Sequence, residues 1–190
     1  NERVAVIGGG IFGSCIALEL SKDFNVTLYE RSGELLSGAS TNNHLRHHGG
    51  YHYPRSKSTA LECLKSRESF EREYGACIIR PFNHYHAIAK EGSKTTPGSY
   101  LKFCEELGLP YEVVEIDERL INKERVSLIL KVAEYSYDPR KMLEIVNEKL
   151  KNSKVEVKLN NEIKGGEIKD DKKILKISSP LGNQEEEFDF

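Results

Sequence analysis

Long apolar runs are missing from this chain. A membrane-spanning helix needs roughly 20 such residues. The longest stretch here, VAVIGGGIFG at 4–13, is broken by glycines. An excess of positive charge is missing too: 28 Lys and Arg stand against 30 Asp and Glu, a net charge of −2. That balance argues against a nucleic-acid surface as the main business. None of the four cysteines, Cys15, Cys63, Cys77 and Cys104, sits in a C-x-x-C pair, and the nearest two are 14 positions apart. A local zinc or redox motif is therefore disfavoured, and the expectation is reduced thiols in a cytoplasmic protein. No signal-peptide pattern appears, since Glu2 and Arg3 lead straight into a strand-like run. Internal repeats and low-complexity linkers are absent as well.

What is present suits one domain of ordinary size, or one and a half small ones. The 190 residues are 38% apolar, enough for a packed core, and 31% charged, enough for a solvated surface. Residues 3–7 (RVAVI) read as a buried strand and 11–22 as a helix, with Phe12, Ile16 and Leu20 along one face. A second β-branched strand, NVTLYE, covers 25–30. Strand, helix and strand make a βαβ unit with a right-handed crossover and parallel pairing.

A loop rich in Gly, Ser, Asn and His runs from 32 to 54, followed by a helix over 58–74 that Gly75 ends. Residues 77–90 read as one or two strands. Thr96 caps a helix with Pro97 at its first position, Leu101, Cys104 and Leu107 on one face, and Gly108 at its close. YEVVEI, at 111–116, is another strand. Asp138-Pro139 starts a helix with Leu143, Val146 and Leu150 as its stripe. The tail reads as three strands, VEVKLNNEI, KILKIS and EEEFDF, with turns at Gly165-Gly166 and at Pro180 to Asn183. A parallel start, a mostly antiparallel middle and a return to strands imply two intertwined regions.

The chemistry enters at the first turn. Gly8-x-Gly10-x-x-Gly13 follows a strand and opens a helix. Gly8 permits the tight turn, Gly10 lets backbone approach a pyrophosphate, and Gly13 lets the helix pack close to the strand. The helix N-terminus then offers N–H groups and partial positive charge to phosphates. Glu30 ends the second strand, where a carboxylate accepts both hydroxyls of an adenosine ribose and repels a 2′-phosphate. A turn needed only for packing explains Gly13 but not the three glycines and Glu30 together. NAD enzymes normally continue with regular βα units, whereas here a long polar loop follows. Its Ser40, Thr41, Asn42 and Asn43 suit a second set of phosphate oxygens and a ribityl chain.

The stretches VAVIGGGIFGSCIALELS, VTLYER, GAS and HHGGYHYP together resemble the start of FAD-dependent oxidoreductases of the D-amino acid oxidase type. That group includes glycine and sarcosine oxidases, glycerol-3-phosphate dehydrogenases and L-2-hydroxyglutarate dehydrogenases. The last are the most similar in the loop, where Ala39, Ser40, Asn43, His48, Gly50 and Tyr53 stand at matching places. Thr41, His44 and Leu45 depart from the small residues usual there. Further on, EYSYDPRKMLEIVNEKL resembles the family's Asp-Pro return to the flavin domain, and VEVKLNNEIKGGEI its strand bordering the adenine.

The resemblance implies an α/β fold: a Rossmann-like FAD-binding βαβ start with an interleaved α+β segment of a substrate domain. It divides the chain into 1–75 and 139–190 for FAD and 76–138 for substrate. Gly8, Gly10 and Gly13 would hold the pyrophosphate, Glu30 the ribose, and Arg31 and Ile163 would lie by the adenine. Ser40 and Asn43 would contact phosphate or ribityl groups. His47 and His48 are candidates for a place beside the flavin, with covalent attachment, noncovalent contact and a structural role all open. Tyr51 and Tyr53 are candidates to line the substrate site, with loop packing as the alternative. Arg46 or Arg80 would suit a substrate carboxylate, though a surface role is the simpler reading. His84 and His86 share a strand face, but no local carboxylate or cysteine completes a ligand set, so no metal is assigned.

The family layout contains more chain than this, so the expectation is an amino-terminal portion of a larger two-domain protein. Its implied activity is oxidation of an amine, amino acid or 2-hydroxy acid, a small-molecule substrate, by hydride transfer to FAD. The alternatives are an NAD-dependent Rossmann dehydrogenase and a non-catalytic dinucleotide-binding module.

Overall fold

The computed structural model describes residues 2–80 and 82–190; Asn1 and Pro81, the latter within the stretch read as one or two strands, lie outside them. In chain order the elements begin with β1 (Arg3–Ile7), α1 (Ile11–Leu20), β2 (Asn25–Tyr29), β3 (Arg46–His47), α2 (Lys57–Tyr74), β4 (Ile78–Ile79) and β5 (His84–Ala89). They continue with α3 (Pro97–Glu106), β6 (Tyr111–Val113), β7 (Val126–Val132), β8 (Tyr135–Tyr137) and α4 (Pro139–Lys151). Four strands close the chain: β9 (Glu156–Lys158), β10 (Glu162–Lys169), β11 (Lys172–Ser179) and β12 (Gly182–Phe188). Among the described residues, no helix is long and apolar enough to cross a membrane.

Contacts divide the chain into two compact units, Asn1–His44 with Pro139–Phe190, and Leu45–Asp138. By these contacts the HHGGYHYP loop and α2 fall in the middle unit, and the chain returns to the first unit at Pro139.

In the first unit, β1 and β2 pair in parallel, Val4 opposite Val26 through Ile7 opposite Tyr29, and β9 extends the sheet in parallel beside β2. The face of α1 that the apolar spacing marks is not the buried one. Phe12 is 82% exposed and Ile16 51%, while Ser14 and Ala17 are buried. Small residues face inward because the backbones approach so closely: a Cβ on Gly13 would stand 1.9 Å from the Gly8 carbonyl oxygen. On α4 the buried residues are Met142, Val146 and Leu150, with Leu143 only half-buried.

Strands β10, β11 and β12 form an antiparallel meander over a cluster of Tyr29, Leu175, Ile177 and Phe188. The tail therefore carries four strands, not three. Gly165 and Gly166 lie inside β10, at a bulge after Ile163. The turn expected there falls instead at Asp170-Asp171, both with positive φ (50° and 62°). Two consecutive left-handed residues give the twist that a tight hairpin demands. After β12 the chain returns to the first strand: the Asp189 N–H donates to the Arg3 carbonyl, and the Ala5 N–H to that of Phe190.

The middle unit holds two antiparallel three-stranded sheets, β5-β7-β6 and β3-β8-β4. Strand β7 is central to the first of them and was not expected from the sequence, although VSLILKV is a β-branched and leucine-rich apolar run. Helix α3 starts with a reciprocal capping box between Thr96 and Ser99, and Pro97 stands at its first position. Its buried residues Tyr100, Phe103 and Cys104 join Tyr51, Ala60, Leu109, Leu130 and Val132 in the unit's core. Each large apolar side chain so buried contributes about 1.5–3 kcal/mol. Burial pushes the thiols of Cys77 and Cys104 up to about 11.

Candidate functional site

The glycine turn of the first unit is a built cradle. Gly8 has φ +102°, a value that side-chain-bearing residues rarely adopt. Gly9 leaves no room for a Cβ, which would stand 2.4 Å from Leu35 and 3.1 Å from the Glu30 carboxylate. Glu30 Oε2 accepts the Gly9 N–H at 2.7 Å, and its Oε1 accepts the Ser32 N–H at 2.8 Å. Burial raises the proton affinity of this carboxylate, but the N–H groups of Ser32 and Gly9 outweigh it and hold Glu30 below its ordinary value. A carboxylate has about four lone-pair sites, so some acceptor capacity remains for an outside donor. Glu30 is thus a charged acceptor fixed at the mouth of the turn.

Ser40 closes the other side. Its Oγ accepts the Ile11 N–H at 3.0 Å and stands 3.3 Å from where a Gly10 Cβ would lie. Gly10, at the N-cap, gives the helix no side-chain cap. The first turn of α1 and a hydroxyl therefore converge on one point, the chemistry that receives a phosphate oxygen. Asn43 braces this loop, its side-chain amide donating to the carbonyls of Ala39 (2.8 Å) and Ser40 (3.2 Å). Arg31 is exposed next to Glu30. The Asn161 N–H donates to the Glu30 carbonyl, and two residues later Ile163 packs its side chain against the Tyr29 cluster. Gly8, Gly10, Gly13, Glu30, Ser40 and Asn43 are thus one connected structure, with Arg31 and Ile163 at its flank.

In the middle unit the two adjacent histidines part ways. His47, on β3, is buried, stacked on Phe70 at 5.1 Å, and its Nε2 lies 3.0 Å from Glu71 Oε1. The same carboxylate takes Arg67 at 2.8 Å and Arg80 at 2.9 Å. These hydrogen bonds, Arg67 first and then Arg80, hold Glu71 down to about 2. Desolvation lowers His47. Both its burial and its partner make His47 a packing residue, which corrects its candidacy for a place by the flavin. Arg80 is likewise occupied by Glu71 and by the ring of Tyr135. His48 remains half-exposed, with its ring 5.9 Å from that of Tyr53.

Tyr51 also differs from expectation. It is 1% exposed, its hydroxyl donates to the Pro110 carbonyl, and the Ala133 N–H donates to it at 3.3 Å. No surface of it is left for a substrate, and loop packing is its role. Tyr53 keeps partial exposure.

The sequence reading passed over Glu134. It is the one buried carboxylate among the described residues, placed just past the end of β7. Its Oε1 accepts the Gly49 N–H at 2.9 Å, and its Oε2 lies 3.0 Å from Nε2 of His86. His86 Nδ1 and the Tyr51 carbonyl are each 2.9 Å from the Tyr100 hydroxyl. Burial works against the charge of Glu134, but His86 and the Gly49 N–H prevail and keep it below its ordinary value. A Cβ at Gly49 would stand 3.1 Å from the Tyr51 ring and 3.3 Å from Glu134 Cγ, which explains the glycine after His48. The apolar run of β7 was the available signal: it marks a strand that ends just before Ala133-Glu134. Among the described residues, no three His, Cys, Asp or Glu side chains gather as a metal site.

Comparison with known proteins gives the following. FAD-dependent monooxygenase kojA of Aspergillus flavus is 35% identical over 105 residues, which are 55% of this chain and 24% of that protein. Glycine oxidase from Geobacillus kaustophilus superposes with a TM-score of 0.69 at 16% identity, over 96% of this chain and 53% of that one. L-α-glycerophosphate oxidase from Mycoplasma pneumoniae with FAD bound gives 0.68 at 20% identity, over 92% and 49%. The chain therefore spans a quarter to about half the length of these proteins. The family model described as FAD dependent oxidoreductase matches residues 3–188, nearly the whole chain, and the chain belongs to that family.

Proposed function

We propose that the chain forms the dinucleotide-holding part of an FAD-dependent oxidoreductase, which oxidises an amino acid, an amine or a 2-hydroxy acid by hydride transfer. The observation that carries this is the Gly8–Gly13 turn with Glu30 and Ser40 fixed on its two sides. Gly10 and the first N–H groups of α1, with Ser40, would hold the pyrophosphate. The acceptor capacity left on Glu30 would take a hydroxyl of the adenosine ribose. FAD, when bound, supplies the two-electron acceptor; the chain supplies binding, orientation and charge. The first unit is read as the cofactor domain and the middle unit as part of the substrate domain, with Tyr53 and His48 as its candidates.

The visible spectrum of the purified protein tests this reading. Flavin absorption that survives gel filtration supports it; a colourless protein that added FAD does not reconstitute overturns it. Acid precipitation separates the modes of attachment, because noncovalent flavin leaves with the supernatant. The similarity to a monooxygenase favours a second reading, in which reduced flavin activates oxygen for insertion into the substrate. Labelled dioxygen decides between them: label in the product favours the monooxygenase, and label only in peroxide or water favours the oxidase or dehydrogenase.

A further inference from the structure

The Tyr100 hydroxyl lies 2.9 Å from two groups, the Tyr51 carbonyl oxygen and His86 Nδ1. It has one proton to give. A carbonyl can only accept, so that proton goes to Tyr51. His86 Nδ1 must then carry a proton of its own, donated to the hydroxyl oxygen. The other ring nitrogen, Nε2, lies 3.0 Å from Glu134 Oε2. An ionised carboxylate also only accepts, so Nε2 carries a proton as well. A neutral imidazole has one N–H and cannot fill both places. The proton between Nε2 and Oε2 belongs on the nitrogen. Glu134 also accepts the Gly49 N–H at 2.9 Å, and hydrogen bonds to a carboxylate favour its ionised form. His86 is therefore an imidazolium, and the Glu134 that it faces is buried.

Among the described residues no other neighbour supplies the cation. His48 Nδ1 stands 4.0 Å from Glu134 Oε1, beyond hydrogen-bond reach, and desolvation lowers that imidazole. His84, lowered by the same cause, has its Nε2 3.4 Å from the Ser136 hydroxyl. Cys63 on α2, and Cys104 and Tyr100 on α3, are each raised by burial and so uncharged at neutral pH. Tyr51 is pushed up to about 12 in the same way. Arg46 and Arg67 act on the surrounding rings by charge, and Arg67 is held by Glu71. All of these groups lie within the middle unit.

We propose that Glu134 and His86 hold one buried proton between them, and that this proton keeps Tyr100 bonded to the Tyr51 carbonyl, a latch on the HHGGYHYP loop that alkali opens. Removing the proton leaves a single N–H on the ring. The carboxylate attracts it to Nε2, and Nδ1 is left with a lone pair. Tyr100 then turns its own proton to Nδ1 and drops the Tyr51 carbonyl. The loop loses a backbone bond to the core, and a buried carboxylate loses its compensating charge. The folded pair thus binds one proton more than a carboxylate and a neutral imidazole would. Wherever the unfolded chain has released that proton, the stability of the unit falls as pH rises.

Nitrogen NMR of the His86 ring in the whole chain is the test, read together with the carbonyl carbon of Tyr51. At neutral pH both ring nitrogens should carry protons; a single protonated nitrogen overturns the proposal. In Glu134→Gln, at the same pH, one of the two protons should be lost, and two retained protons overturn it. Should that variant not fold, the wild-type ring decides alone. As the pH of the wild type is raised, Nδ1 should lose its proton first. The Tyr51 carbonyl carbon should shift in step, as its hydrogen bond is lost. A carbonyl that ignores the ring overturns the latch. Tyr100→Phe separates the bond from the bare change in charge. Without the hydroxyl the carbonyl response should vanish, and a response that persists overturns the latch.

Discussion

The backbone N–H of Gly9 donates to the side chain of Glu30 at 2.7 Å, joining two residues 21 positions apart in the chain. The residue that ends β2 thereby holds the shape of the turn that ends β1. Glu30→Gln would turn one of the two oxygens into a donor facing a backbone N–H. FAD affinity should fall by about 1–3 kcal/mol, the cost of leaving such groups unpaired. Titration of the apoprotein with FAD, followed by flavin fluorescence, measures it; unchanged affinity removes Glu30 from the site.

Gly13→Ala should be far more harmful than a methyl group suggests. The added Cβ would meet the Gly8 carbonyl oxygen at 1.9 Å, and backbone on both sides leaves nowhere to move. Overpacking of this sort costs about 1–3 kcal/mol or more. A lower urea midpoint, with FAD affinity lost alongside, is the expected result.

Acid should destabilise the middle unit through Glu71 and His47. Glu71 is held at about 2 against an ordinary 4.5, so its contribution is complete above 4.5 and is lost as pH falls from there towards about 2. His47, lowered from 6.5, contributes in the same direction: its stability is present above 6.5 and fades as pH falls below it. Urea midpoints recorded from neutral to acid pH should decline across both windows. In Glu71→Gln the decline below 4.5 should flatten.

Tyr100→Phe would remove one hydroxyl that serves both His86 and the Tyr51 carbonyl. The groups stranded by it are buried, so a loss of about 1–3 kcal/mol is expected. The unfolding free energy of the variant checks this, and a loss near zero would mean that water replaces the hydroxyl.

Asp171→Gly should stabilise the β10–β11 hairpin. Asp171 sits at φ 62°, in the left-handed region that costs residues with a Cβ about 1–2 kcal/mol. Glycine relieves that strain and adds some freedom to the unfolded chain, so a net gain of up to about 1 kcal/mol is expected. Thermal unfolding reads it directly.

The cradle was legible because its parts are local. Strand, turn, helix and strand follow one another, and Glu30 arrives at Gly9 through the register of two adjacent parallel strands. The same local logic found the cap of α3, since Thr96 and Pro97 act on their own neighbours. It failed where the neighbour is distant. The apolar stripe of α1 points outward because Gly13, Ser14 and Ala17 are what a close backbone admits. Gly165-Gly166 looked like a turn, but the pairing of β10 with β11 runs through it and puts the reversal at Asp170-Asp171.

By itself, then, the sequence determined the strand, glycine turn, helix and strand that bring Gly8, Gly10, Gly13 and Glu30 together at the start of this chain. Only the tertiary structure buried His47 against Glu71, withdrew Tyr51 into the core and brought out Glu134. Those assignments depend on burial and on partners far away in the chain: Glu71 for His47, Pro110 for Tyr51, and Gly49 with His86 for Glu134. A side chain's charge and access follow from what surrounds it, and for these residues the surroundings come from strands that pair only when the whole unit has folded.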